Sequence, residues 1–388
     1  MNHFGRLHVT SLSTITPSTF MVNYYLVVRA KDSTVIMKSN KAPQNSMVCM
    51  VLAALLLLTT AKACTDLLVT PGASTDGSAM IAYNADSVKL YGVLYHYPRT
   101  QGLQGQLRDI YEWDTGAYMG QIDEVNATFN VVGNANEHGL VIGESTFGGV
   151  EVLDGHKQHE VLGAVLDYGS LIYITLQRAK TAVEAIHTMD ALLNKYGYVS
   201  EGESFSISDP SGAVWMMELI SRGDTYGKLG AVWVAQKIPD GHVGAHANQA
   251  RTTTFPRNDP EHCLYAEDVV DVAVHYGLYP ATADPKDFSF SDTYDPVTFL
   301  TARMGEARVW SIFSQIADAD GTFGKQYQEY ALGTNLQTRM PLFIKPHAKL
   351  SLRDVIHLMN SHFEGTVMDP TQDSGAGIFA SPYRSRPL

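Results

Sequence analysis

Cysteine is scarce in this 388-residue chain, which has only Cys49, Cys64 and Cys263. So few thiols cannot form a disulfide framework, although Cys64 and Cys263 remain free to pair with each other in an oxidising compartment. Neither a Cys-x-x-Cys nor a His-Glu-x-x-His spacing occurs and the 14 histidines are scattered, so the sequence supports no metal site and calls for no cofactor. Basic residues are also few, 28 Lys and Arg against 40 Asp and Glu. Residues 1–63 hold six of the basic residues and one acid, which leaves 22 basic and 39 acidic residues and a formal charge of −17 for the remainder. That balance argues against nucleic acid or an anionic membrane as a partner. No apolar run after Cys64 is long enough to span a bilayer, no internal repeat is evident, and nothing in the chain speaks to its oligomeric state. The composition is otherwise that of a globular protein, 45% hydrophobic with a mean hydropathy of −0.08, enough for one large domain or two modest ones.

The longest apolar stretch is Val51-Leu52-Ala53-Ala54-Leu55-Leu56-Leu57-Leu58, followed by Ala61-Lys62-Ala63 and then Cys64. Its length and the small residues at 61 and 63 read as a signal peptide over 47–63, cleaved before Cys64, which implies a secretory destination: secreted, periplasmic or lysosome-like. Met47 is then a plausible start, and residues 1–46 are expected to be an upstream extension of little structure. A bacterial lipoprotein cysteine fits less well, because Lys62 departs from the lipid-attachment pattern. Cleavage before Cys64 matters chemically. A free α-amine with a pKa of about 8 would lie beside a thiol of about 8.5, so nucleophile and general base share one residue and a thioester route to amide hydrolysis opens. The plainer reading is that Cys64 is simply the first residue of a secreted protein.

Along the chain, strands are expected at 66–70 and 79–84 around the Pro71-Gly72 and Asp76-Gly77 turns, then at 127–132 and 140–144. The period changes to that of helices over 168–179 and 181–196, with Thr181-Ala182-Val183-Glu184 as a capping box and Gly197 as the stop. Strands return at 204–208, 214–219 and 231–235, with Trp215 and Trp233 expected in the core. From Asp259 onward the chain reads as loop-rich, with helical pieces near 266–276, 297–302 and 352–361. This order predicts an α+β layered domain over 64–388. Asn126-Ala127-Thr128 is a glycosylation acceptor if the source is eukaryotic. Glu137-His138 reads as surface, and Asp318-Ala319-Asp320-Gly321 lacks enough of a calcium-loop pattern to count as one.

Several short motifs recur in a fixed order: Cys64-Thr65-Asp66, Asp76-Gly77-Ser78, Asn84-Ala85-Asp86, Asn136-Glu137-His138-Gly139-Leu140, Gly143-Glu144-Ser145-Thr146 and Ala247-Asn248-Gln249-Ala250-Arg251. Together they resemble the cysteine dipeptidase and secernin family of N-terminal nucleophile hydrolases, related more distantly to penicillin V acylase and bile salt hydrolase. The resemblance implies a four-layer αββα sandwich with Cys64 at one edge of stacked sheets, and a cleft closed by loops after Asp259. It also implies that Asp86 orients the amine, that Asn136 supplies a backbone oxyanion donor, and that Asn248 supplies a side-chain one. Each has a plainer alternative: Asp86 as a turn cap, the asparagines as shapers of glycine-rich turns. Arg251 is either a bidentate partner for a substrate carboxylate or a structural ion pair. Asn84 either borders the substrate or shapes the Asp86 turn. In the acylases an arginine precedes the matching Asn-x-Asp, and Tyr83 stands there in this chain, which leaves one contact to the thiol unfilled. Family chains continue past Leu388 with further strands and an arginine-bearing motif, so the sheet is expected to be incomplete at its C-terminal end and the isolated chain to be poorly soluble and nearly inactive. The expected reaction is hydrolysis of short peptides, dipeptides foremost. The alternatives are an N-acyl amide amidase on the same fold and a catalytically inert secreted interaction protein.

Overall fold

Antiparallel strands rich in β-branched and aromatic residues, many of them joined by Gly-, Asn- and Asp-centred turns, recur through residues 63–265. The structure is a computed structural model that describes residues 24–30, 33–39, 63–86, 92–369 and 371. Residues 24–39 contribute a separate hairpin of Tyr24–Ala30 and Ser33–Ser39, paired in register from Tyr24 opposite Ser39 to Ala30 opposite Ser33. This is more structure than the sequence of that stretch suggests. The expected signal peptide over 47–63, other than the backbone of Ala63, lies outside the described residues.

The larger sheet has eight strands in the order Cys263–Tyr265, Ala231–Lys237, Val214–Ser221, Gly202–Ser208, Val141–Phe147, Ala135–Asn136, Val131–Val132 and His96–Tyr97. Every residue of Gly202–Ser208 and Val214–Ser221 is buried, so these central strands are covered on both faces. Helices Tyr168–Leu176 and Ala182–Tyr196 place Leu171, Ile174, Ile186 and Met189 in one apolar cluster with Phe205, Met217 and Trp215 of the sheet. Trp215 and Trp233 are both buried, as expected.

The smaller sheet has the order Phe343–Ile344, Val243–His246, Ala63–Val69 and Met80–Asp86, all antiparallel. Alternation along Ala63–Val69 sends Leu67 and Val69 into a second cluster with Trp310 and Phe313 of helix Ala307–Ile316 and Val355 and Leu358 of helix Leu352–Met359. Leu68, on the opposite face, packs with Val214 and Ile238 from the larger sheet's side. The two sheets also meet at Gly143, where a Cβ would stand 2.6 Å from Asp66 Oδ2 and 3.3 Å from the Tyr83 Cβ. Only a residue without a side chain permits that approach. Ser206 Oγ and His246 Nε2 join the sheets again at 2.8 Å. Antiparallel sheets with grouped helices place the fold in the α+β class, as expected.

Four local expectations differ from the structure. The strand expected over 127–132 is two short pairings, Ala127–Thr128 with Thr100–Gln101 and Val131–Val132 with His96–Tyr97, because Phe129 N–H turns to the Gln177 carbonyl and Asn130 N–H to Glu137. The Thr181 side chain caps its helix, but Glu184 accepts from Lys180 N–H instead of closing the reciprocal box. Cys64 and Cys263 are not bonded to each other, so the possible pairing is not made. The region after Asp259 holds more helix than its prolines suggest, notably Ala307–Ile316 and Thr322–Ala331, and Asp318 and Asp320 cap the latter's N-terminal N–H groups. Among the described residues no helix is long and apolar enough to cross a membrane.

Candidate active site

Cys64 stands at the head of the strand Ala63–Val69, opposite Ala85, and is 4% exposed. Strand alternation puts its side chain on the face turned to the larger sheet, where Sγ lies 3.7 Å from Glu144 Oε1. The same Oε1 accepts the Tyr83 hydroxyl, so thiol and phenol converge on one buried carboxylate. Burial, then the Glu144 charge, push the Tyr83 hydroxyl far above the ordinary tyrosine range, and it stays protonated as the donor. Glu144 reaches the thiol because Val141–Phe147 pairs with Ala135–Asn136 only at Val141. From Gly143 onward that edge carries no strand among the described residues, and Cys64, Glu144 and Thr146 line a cleft there.

Residues far along the chain complete the other side of Cys64. Its backbone N–H donates to Asn248 Oδ1 at 2.9 Å. Asn248 adopts a left-handed conformation, φ 51°, held by its own N–H donating to Ser145 Oγ at 2.7 Å and its Nδ2 donating to the Thr146 carbonyl. Two donors on one side and an acceptor on the other fix which amide atom is oxygen. Arg308 is the second donor, 2.7 Å from Asn248 Oδ1, and it also donates to the Cys64 carbonyl and, at 2.8 Å, to Thr65 Oγ1. Its position follows from a π-helical turn, Ala302–Glu306, ahead of helix Ala307–Ile316. A Cβ on Gly305 would lie 2.4 Å from the Ala247 carbonyl, so glycine lets this turn press against the Asn248 segment.

A cleft of about 220 Å³ opens above the thiol. Its walls are aromatic, with Tyr95, Tyr97, Trp113, Tyr168 and Tyr173 joining Tyr83, and Asp114 and Glu144 are the charged residues among its described lining. Tyr97 and Tyr173 stack at 4.7 Å, and the Tyr168 hydroxyl donates to Asp114 at 2.9 Å. These walls come from segments 92–97, 113–114, 133–134 and helix Tyr168–Leu176. The expectation that loops after Asp259 close the cleft is therefore corrected: those residues contribute Arg308 from beneath and none of the described lining.

The signature of peptidase family C69 matches residues 91–388, more than half of the chain. The chain belongs to peptidase family C69. Relatives include a probable dipeptidase of Latilactobacillus sakei, 24% identical over 79% of this chain and 62% of its own length, and dipeptidase A of Lactobacillus helveticus, 24% identical over 80% and 64%. A probable dipeptidase of Salmonella dublin is 24% identical over 79% of this chain and 68% of its own. The chain thus spans a little under two thirds of the first two relatives. The family match covers Glu144, Asn248 and Arg308, so membership applies to the part of the chain that surrounds Cys64.

Within this C69 chain the expected site residues divide. Cys64 and Asn248 meet, but Asn248 faces the cysteine nitrogen with its oxygen, and one Nδ2 hydrogen is taken by Thr146. Asn136 does not join them. Its Nδ2 donates to the Leu176 and Ala179 carbonyls at 2.7 and 2.8 Å, and its backbone N–H donates to the Leu140 carbonyl, so every donor it has builds the turn. Arg251 is the structural ion pair: buried, 2.9 Å from Glu306, with its remaining nitrogens on the Ala245, Leu342 and Pro341 carbonyls. It leaves no fork for a substrate carboxylate. Asn84 is turned away by alternation, since Tyr83 and Ala85 line the cleft while Asn84 donates to the Met359 carbonyl at 3.3 Å on the helix side. Asp86 pairs in register with Ala63, one step beyond Cys64, and its side chain lies outside the described residues. Glu144 stood in the sequence only as a member of the Gly143-Glu144-Ser145-Thr146 motif, with no role assigned to it, and Arg308 had no signal.

Proposed function

We propose that this C69 chain is a cysteine-type dipeptidase whose nucleophile is Cys64, exposed as the N-terminal residue by cleavage after Ala63 in the secretory pathway. The observation that carries the reading is the placement of Cys64: a buried thiol at the head of a central strand, beside a carboxylate, under an aromatic cleft, in a chain of a peptidase family. The dipeptidase names of the relatives support the substrate class, and a cleft of about 220 Å³ suits a short peptide better than a long acyl chain. Contact between the two sheets and helices packed against each support a four-layer αββα sandwich of the N-terminal nucleophile type.

In this mechanism the thiolate attacks the scissile carbonyl, the adduct expels the amine of the second residue, and water hydrolyses the thioester. Asn248 Oδ1 holds the α-amine of Cys64 in place, Arg308 fixes Asn248 and the Cys64 carbonyl, and the remaining Nδ2 hydrogen of Asn248 is the side-chain donor for the oxyanion. Asp86, adjacent in register, orients the amine as a general base. Intact mass and N-terminal sequencing of the purified protein test the start, with Cys64 bearing an unblocked amine as the expected first residue. Dipeptide hydrolysis should vanish in Cys64→Ala. Hydrolysis retained in that variant, or a lipid on the Cys64 nitrogen, defeats the proposal.

A further inference from the structure

We infer that Glu144, held by the Tyr83 hydroxyl, accepts the Cys64 thiol proton directly and is a second acid–base group of the reaction beside the α-amine. The inference rests on Cys64 being the nucleophile, as proposed above. Three observations carry it. Sγ is within hydrogen-bonding reach of Glu144 Oε1, at 3.7 Å. On the other side the cysteine nitrogen donates to Asn248 Oδ1 at 2.9 Å, which holds Cys64 with its sulfur toward Glu144. And Glu144 is 2% exposed on a strand paired residue by residue with Gly202–Ser208, so the carboxylate sits on a rigid element with Tyr83 as its donor. A carboxylate buried beside a nucleophile is placed to exchange its proton, the arrangement in which acid–base groups are found.

The proton balance closes over the cycle. The S–H proton passes to Glu144 as sulfur bonds to the carbonyl carbon, and Glu144 returns it to the leaving nitrogen as the C–N bond breaks. Water then gives a proton to Glu144 as its oxygen attacks the thioester, and the C–S bond breaks as Glu144 reprotonates the sulfur. No electrons are exchanged. The Tyr83 position, where the acylases carry an arginine, thereby gains its contact to the thiol through the carboxylate.

Among the described residues, titratable groups facing Glu144 include Cys64 and Asp66 on the cysteine strand, Tyr83 on its neighbour, Tyr168 on the covering helix, and Tyr198, with the Arg308 guanidinium behind Cys64. The test uses the processed full chain as wild type, Glu144→Gln, Glu144→Asp and Tyr83→Phe, each checked for a Cys64 N-terminus and cooperative melting. Steady-state dipeptide hydrolysis and the pH dependence of Cys64 alkylation by iodoacetamide are measured. Glu144→Gln should lower kcat about 100-fold or more, with KM changed less than about threefold, and Glu144→Asp should recover part of the loss. Wild-type alkylation should rise in two steps, because thiol and carboxyl share one proton, and the Gln variant in one. A kcat for Glu144→Gln within threefold of wild type, or an unchanged two-step profile, overturns the inference. If that variant does not melt cooperatively, Tyr83→Phe decides: about a tenfold loss in kcat supports the role, and an unchanged kcat defeats it. Activity surviving Cys64→Ala would instead remove the nucleophile itself, a separate failure.

Discussion

Asn248 is the residue on which the site's two halves depend, because its oxygen receives both the Cys64 nitrogen and Arg308 while its nitrogen binds the strand that carries Glu144. Truncating it removes all three at once. Asn248→Ala should therefore lower kcat for a dipeptide by about 100-fold or more, a loss on the scale of a missing oxyanion donor. A kcat equal to wild type would take Asn248 out of the site. Arg251, three residues on, should behave otherwise. Arg251→Met strands Glu306 as a buried charge, so chemical denaturation should show a loss of about 3–5 kcal/mol. A rise in KM with unchanged stability would return Arg251 to the substrate. At this scale Cys64 was legible as a candidate because a thiol placed after an apolar run and small residues is a local signal. Glu144 and Arg308 were not, because each matters only through a partner 80 or 244 residues away.

Among the elements, the strand Val141–Phe147 sets the geometry of the site through one glycine. Gly143→Ala would drive a methyl group to 2.6 Å from a carboxylate oxygen of Asp66. The sheets would have to part to admit it. A thermal melt should show a destabilisation of about 1–3 kcal/mol, with activity falling more than stability because Glu144 is the next residue. An unchanged melting temperature would mean that the inter-sheet contact is loose. Elements with a clean period were read correctly from sequence: Ala182–Tyr196 buries Ala185, Ile186, Met189, Leu192 and Leu193 on one face and stops at Gly197. Ala307–Ile316 was missed because a π turn rather than a capping residue introduces it, so the usual start signal is absent. The two pairings within 127–132 were merged because the residues between them have strand composition but spend their N–H groups on a helix end and a glutamate.

For the whole molecule, acid stability turns on the buried histidine that joins the sheets. Burial, with the Arg251 charge adding to it, holds His246 at about 3, and burial, offset in part by Ser206, pushes the Asp66 carboxyl well up, so burial disfavours the charged form of both partners, 3.7 Å apart. The sign follows for His246. Its folded pKa lies below the unfolded value of about 6.5, so the unfolded chain takes the proton first, and stability present above pH 6.5 is lost as pH falls toward 3, by up to about 1.4 kcal/mol per pH unit. Asp66 acts in the opposite sense, its contribution being present below about pH 3.8 and lost as pH rises through its folded value. Comparing wild type with His246→Gln at each pH isolates the histidine. Between pH 7 and 4.5 the wild type should lose more melting temperature than the variant, and equal losses would mean that His246 is accessible to protons in the folded state. The wide spacing of the site also has a consequence in time. Cys64 leaves the ribosome 244 residues before Arg308, which at 5–20 residues per second is a delay of roughly 12 to 50 s. Asn248 emerges first, 184 residues after Cys64, and Arg308 follows. A chain interrupted before residue 308 therefore carries Cys64 without the guanidinium that holds its carbonyl and Asn248 in place.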